Sequence, residues 1–148
     1  MTTSYEEDIT SPAYAVTLGE RMDDAIARQA QAARGLIQWK QIAQQSRELM
    51  KALEAEVVIN GGVGEIVLDG KNAEQRASQL TAALNRHDQY TKTIEKLRAA
   101  EREAQEAEAD IDTTTNEIRY CRLLLEFGTS LNNRLAGAEV SVRNGGRS

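Results

Sequence analysis

The chain is poor in the residues that close small folds. Its 148 residues include one Cys, one Pro, one Trp, one Phe and one His, and aromatics make up only 4%. A lone Cys121 excludes an internal disulfide framework and a zinc site built on several thiolates. Set between Tyr120 and Arg122, it reads as a small apolar filler on a helix. A lone His87 leaves no two-His or His-carboxylate spacing for a metal, and no Ser or Cys nucleophile can be placed beside it. No metal or cofactor is expected. Basic surplus is also missing. The net charge of −5 and pI near 5.0 argue against duplex nucleic acid as a partner, because neutralising phosphates takes an excess of Lys and Arg on one face. No stretch approaches the ~20 apolar residues of a membrane span. The start, Met1–Ser11, is acidic and polar, without the basic and apolar regions of a secretory signal. The expected location is therefore the cytoplasm, and the host's cytoplasm if the protein is viral.

What the chain does have is helix-forming residues. Ala, Glu, Gln and Arg dominate its middle, and these side chains lose little rotamer freedom in a helix. From Asn72 to Phe127 no Pro or Gly intervenes, and apolar positions recur at steps of three and four: Leu80, Ala83 or Leu84, His87, Tyr90, Ile94, Leu97, Glu101, Ala104, Glu108, Ile111, Thr115, Ile118, Arg122 and Leu125. That is a heptad seam. At ~1.5 Å per residue such a helix extends roughly 80 Å, too long to fold on itself, so it must lie against another helix.

The partner comes earlier in the chain. Residues 1–12 read as a mobile arm, with Ser11 as N-cap and Pro12 in the first turn of a helix starting near Ala13. Leu36, Trp39, Ala43, Ser46, Met50, Leu53 and Val57 then form a second stripe. Gly19 is the expected break in this helix, and Trp39 reads as a packing anchor. Between the stripes, Val57-Val58-Ile59 and Ile66-Val67-Leu68 flank Asn60-Gly61-Gly62, the pattern of a β-hairpin. This ribbon, near residues 57–69, needs cover from a further strand or subunit, because an isolated pair of strands is marginal in water. The Gly61–Gly64 cluster is not a phosphate loop, since no Lys-Ser or Lys-Thr follows it into a helix. Asn72 is a good N-cap with Gln75 three residues on, the spacing of a capping box. Helix two should stay continuous through 112–116 and stop at Gly128. Residues 129–148 read as a loose tail, with strand-like alternation over 138–143.

The expected fold is thus mainly α: an antiparallel hairpin of long, coiled-coil-like helices over 13–128, with a short β-ribbon at its tip, and oligomeric. Trp39, Val58, Ile66, Leu68, Leu123, Leu124 and Phe127 are the expected interface. Abundant carboxylates lie along helix faces rather than in a cleft that would split their pKa values, so no catalytic residue emerges and the chain reads as a non-enzyme.

Gly70-Lys71-Asn72-Ala73-Glu74-Gln75-Arg76, preceded by Ile-Val-Leu and followed by a long helix ending in Arg122-Leu123-Leu124-Leu125, resembles small helical accessory proteins of bacteriophages. In that group a Gly-Lys-Asn-x-x-x-Arg segment opens a long C-terminal helix. The likeness covers Ile66 to Leu125 and implies a viral, non-enzymatic protein. Three functions remain open. The first is an accessory or anti-defence protein that binds itself and another protein and blocks or organises it, presenting the acidic face Glu101–Asp112 to a basic partner. The second is an oligomeric sponge in which Arg76, Arg86, His87 and Lys92 enclose an anionic nucleotide signal. The third is a structural or assembly role.

Overall fold

The computed structural model describes residues 10–145, with side chains described up to residue 138. The element order is α1 (Pro12–Ile59), β1 (Gly62–Val63), β2 (Ile66–Val67), α2 (Ala73–Asn85) and α3 (Asp88–Gly145). The chain divides into two compact units, Ala33–Glu108 and Met1–Ala32 with Ala109–Ser148. In each unit α1 and α3 pack closely and antiparallel: Arg47 meets Glu101 and Lys40 meets Glu108 in the first, and Arg21 meets Glu117 and Gln29 meets Thr115 in the second.

The start of α1 follows its local chemistry. Ser11 Oγ accepts a hydrogen bond from the Tyr14 N–H at 3.1 Å, and Pro12 occupies the first turn. The expected break at Gly19 is absent. α1 runs unbroken through Gly19 and Gly35, and a Cβ at either would meet nothing within 4 Å. Neither glycine serves close packing. The side chains of α1 that turn inward recur at alternating steps of four and three, among them Leu18, Ala25, Ala43, Ser46, Leu53 and Val57.

Asn60-Gly61 is a helix end rather than a hairpin turn. Val57–Ile59 belong to α1, and Gly61 (φ 73°) takes the left-handed conformation that terminates a helix, its N–H bonded to the Val58 carbonyl at 3.2 Å. The ribbon that follows is shorter than the sequence suggests. Gly62 pairs with Val67 and Val63 with Ile66 around a tight turn at Gly64 (φ 58°) and Glu65. Gly62 is obligatory, because its φ is 141° and a Cβ would fall 2.0 Å from the Ile66 carbonyl oxygen.

The ribbon's cover comes from its own chain. Leu53, Val57, Ala83, Leu84 and Tyr90 form a buried cluster, and Val63, Ile66, Leu68 and Leu80 pack against it. α2 is held at its start by a ring of amides: Asn72 Oδ1 accepts the Gln75 N–H at 2.8 Å, Gln75 Oε1 accepts the Lys71 N–H at 3.0 Å, and Gln79 Oε1 accepts the Gly70 N–H at 2.8 Å. The reciprocal bond of Gln75 thus reaches one residue further back than a capping box requires.

The long second helix is interrupted once. α2 ends at Asn85, with the Arg86 and His87 N–H groups bonded to the carbonyls of Ala83 and Leu84. His87 then caps α3, its Nδ1 accepting the Tyr90 N–H at 3.2 Å. Further on, α3 is continuous through 112–116. The hydroxyls of Thr114 and Thr115 bond back to the carbonyls of Asp110 and Ile111. It also passes Gly128 and ends at Gly145, so 138–143 is helical rather than strand-like. The arm expected over residues 1–12 lies, up to residue 9, outside the described residues.

Candidate functional site

Half of the α3 seam falls where the spacing places it. Tyr90, Leu97, Ala104, Ile111, Ile118 and Leu125 are buried or half-buried. Ile94 also packs half-buried against the core cluster, beside the buried Thr93. Further along, the alternate positions are shifted by one residue: Ala100, Ala107, Thr114, Cys121 and Gly128 turn inward rather than Glu101, Glu108, Thr115 and Arg122. The reason is chemical. Glu101, Glu108 and Thr115 flank the seam, where their side chains reach α1: Glu101 bonds Arg47 at 2.8 Å, Glu108 meets Lys40 at 3.3 Å, and Thr115 accepts from Gln29 at 2.7 Å. The sevenfold repeat of Ala, Thr, Cys and Gly was the signal that locates the inward side, and it is hidden because small residues look like spacers.

With small residues inside, large ones are left outside. In the unit containing the termini, Leu18, Ala25, Thr114 and Cys121 are buried, whereas Tyr120, Leu123, Phe127 and Leu135 are each more than half exposed. On α3 the exposed set steps by three, four and eight residues, so Tyr120, Leu123 and Phe127 line one face, distinct from the face of Thr114, Ile118, Cys121 and Leu125. Arg21, bonded to Glu117 at 3.0 Å, lies over the Tyr120 ring at 5.7 Å from its centre. That hydrogen bond holds the guanidinium in its charged form even above its ordinary range.

In the other unit, Ile37 is 70% and Ile59 84% exposed, with Val58 and Val67 also turned outward. Of the expected interface residues here, Val58 is exposed, Trp39 is half-buried in the α1 seam, and Ile66 and Leu68 are half-buried against the chain's own cluster. In the unit containing the termini Leu123 and Phe127 are exposed and Leu124 is half-buried. An open groove of 610 Å³ runs over the Ala43 and Ala104 floor between the Lys40–Glu108 and Arg47–Glu101 pairs.

The proposed anion ligands are dispersed in role. Arg76, Arg86 and Lys92 are exposed, Arg86 ends α2, and His87 spends its Nδ1 on the α3 cap. None of the four lines the groove above or the open groove along Asn72, Gln75 and Gln79. Among the described residues no group of three His, Cys, Asp or Glu is placed to hold a metal, and no buried side-chain polar atom lacks a partner. No described helix is long and apolar enough to cross a membrane. Tyr90 is buried, and that burial, with the hydrogen bond of its hydroxyl to Glu54 at 3.1 Å, raises its pKa. The bond ties the core cluster on α3 to α1. No family model, no curated protein and no solved structure matches the chain.

Proposed function

We propose that this chain is a non-enzymatic helical interaction protein, of the phage accessory or anti-defence kind, that binds another protein and blocks or organises it. The observation that supports this reading is that many seam positions hold small residues (Ala25, Ala43, Ser46, Ala100, Thr114 and Cys121) beside Leu18, Leu53 and Val57, while Ile37, Ile59, Tyr120, Leu123 and Phe127 face outward. Scattered exposed apolar residues are ordinary, but Tyr120, Leu123 and Phe127 share one helix face, and a contiguous stripe of large side chains marks a binding surface. The acidic residues contribute less than their number suggests. Glu101 and Glu108 are engaged by Arg47 and Lys40, leaving Glu103 and Glu106 among those exposed for a basic partner.

The test is capture by the immobilised full chain from infected and uninfected host lysate, with mass spectrometry of the retained proteins and of small molecules released on denaturation. A stoichiometric protein, lost on Ile37→Asp or Phe127→Asp, is the expected result. A stoichiometric nucleotide without a protein would replace this reading by sequestration.

A further inference from the structure

We propose that Tyr120, Leu123 and Phe127 form a seam at which a second copy of this chain docks antiparallel, its two-fold axis close to Leu123, with Arg119 of each copy meeting Glu126 of the other. The inference rests on the interaction reading above and assigns one of its surfaces to self-association.

The argument for a second copy is charge complementarity of the face with itself. Tyr120, Leu123 and Phe127 step by three and four residues, the spacing of core positions in a helix pair, and are bounded by Asn116 and Ser130 at the next core positions. Along one flank of this stripe Asp112, Arg119 and Glu126 succeed one another every seven residues and alternate in sign. All three are exposed, and Arg119 and Glu126 have no ion-pair or hydrogen-bond partner in their own chain among the described residues.

An isologous interface makes each residue meet its counterpart across the axis. With the axis near Leu123, Tyr120 faces the second copy's Phe127, Leu123 faces its twin, and Arg119 meets Glu126 twice. Sliding by one heptad in either direction breaks this. One slide sets Arg119 against Arg119 and Asp112 against Glu126; the other sets Glu126 against Glu126. A parallel pair fares no better, since it brings Asp112 beside Glu117 and leaves Arg119 beside Leu124. The register that centres the apolar stripe is therefore also the one that matches the charges, and the alternatives are penalised by like-charge contact. The stripe covers only about two turns of fully apolar contact, so the interface lies at the small end of stable complexes, near or below roughly 1,200 Å² in total, and dissociates on dilution.

Sedimentation equilibrium of the full chain over a wide concentration range tests this, with circular dichroism confirming unchanged helicity in each variant. Wild type should pass reversibly from monomer to dimer. Arg119→Glu and Glu126→Arg should each raise the dissociation constant about tenfold or more, because two attractive contacts become repulsive, and the double variant should return to within about threefold of wild type. Mixing the two single variants should restore association, since in the mixed pair both contacts join a Glu of one copy to an Arg of the other. A chain that stays monomeric at several hundred micromolar overturns the proposal, as does a double variant as weak as the singles. A monomer that still captures a host protein refutes self-association alone and leaves the proposed function standing; a dimer that captures nothing does the reverse.

Discussion

The two units put their apolar residues to opposite uses. In Ala33–Glu108, large side chains (Leu53, Val57, Leu84 and Tyr90) are gathered into one cluster by the ribbon and α2, which fold over the end of α1. In the unit of the termini, the buried set is Leu18, Ala25, Thr114 and Cys121, and the larger Tyr120, Leu123 and Phe127 are outside. The first unit gathers its large apolar side chains inside, and the second leaves Tyr120, Leu123 and Phe127 exposed. Stability and recognition are therefore expected to respond to different residues.

The widest gap between them should come from Leu53→Ala. Its side chain is 3% exposed within the cluster, so truncation should cost about 2–5 kcal/mol in chemical denaturation. A loss below about 1 kcal/mol would erase the distinction between the units. Gly62→Ala comes next. The added Cβ would collide with the Ile66 carbonyl in a backbone conformation foreign to L-residues, at a cost of order 1–3 kcal/mol, read as lost protection of the ribbon amides in hydrogen exchange.

Gly35→Ala should act in the opposite direction, raising stability by about 0.5–1 kcal/mol, because α1 is helical there and the new methyl meets open space. Thermal denaturation that shows a loss would mean that the glycine packs against something. The smallest stability change belongs to Phe127→Ser, below about 0.5 kcal/mol at concentrations where the chain is monomeric, since the ring is already 56% exposed. A larger loss would place Phe127 in the core and contradict the comparison. Alkaline titration sharpens it further. Tyr90 has its pKa raised above 10.0 in the folded chain, so its contribution is full below pH 10 and fades as pH climbs through the folded value, where the unfolded chain releases the proton first. The alkaline slope of stability should shrink in Tyr90→Phe.

Caps were the most legible part of the fold. Ser11-Pro12 and Asn72-x-x-Gln75 carry their chemistry within four residues, and local hydrogen bonds realise it. The same locality misled at Asn60-Gly61, where a turn signature is shared by a hairpin and by a helix end; the choice was made by Val57, which is needed in the cluster with Leu84 and Tyr90. The break at Arg86 was hidden because neither Gly nor Pro marks it, and because His87 happens to fall on the phase of the stripe. Its imidazole is a capping acceptor, a role that spacing does not announce. On α3 the large residues identified Tyr90, Ile94, Leu97 and Ile111 correctly, but beyond them a shift of one residue moved Glu101, Glu108 and Arg122 into a core that they do not occupy. Leu123 and Phe127 were legible as surface residues, whereas Tyr120, their neighbour on the outward face, was not.

The seam of small residues also leaves a question of alignment. When successive layers differ as little as Ala100, Ala107 and Thr114 do, sliding one helix by two turns replaces each contact with a near equivalent, so apolar burial alone discriminates poorly between alignments. Discrimination falls to the unlike contacts. In the unit of the termini, Gln29 bonded to Thr115 and the Arg21 and Arg28 groups sharing Glu117 are satisfied in one alignment and orphaned in the next. In the other unit, Arg47 with Glu101 and the Tyr90 hydroxyl with Glu54 do the same. The ion pairs among these are exposed or half-exposed and contribute little to the depth of the native well, yet they help select which well the helices occupy.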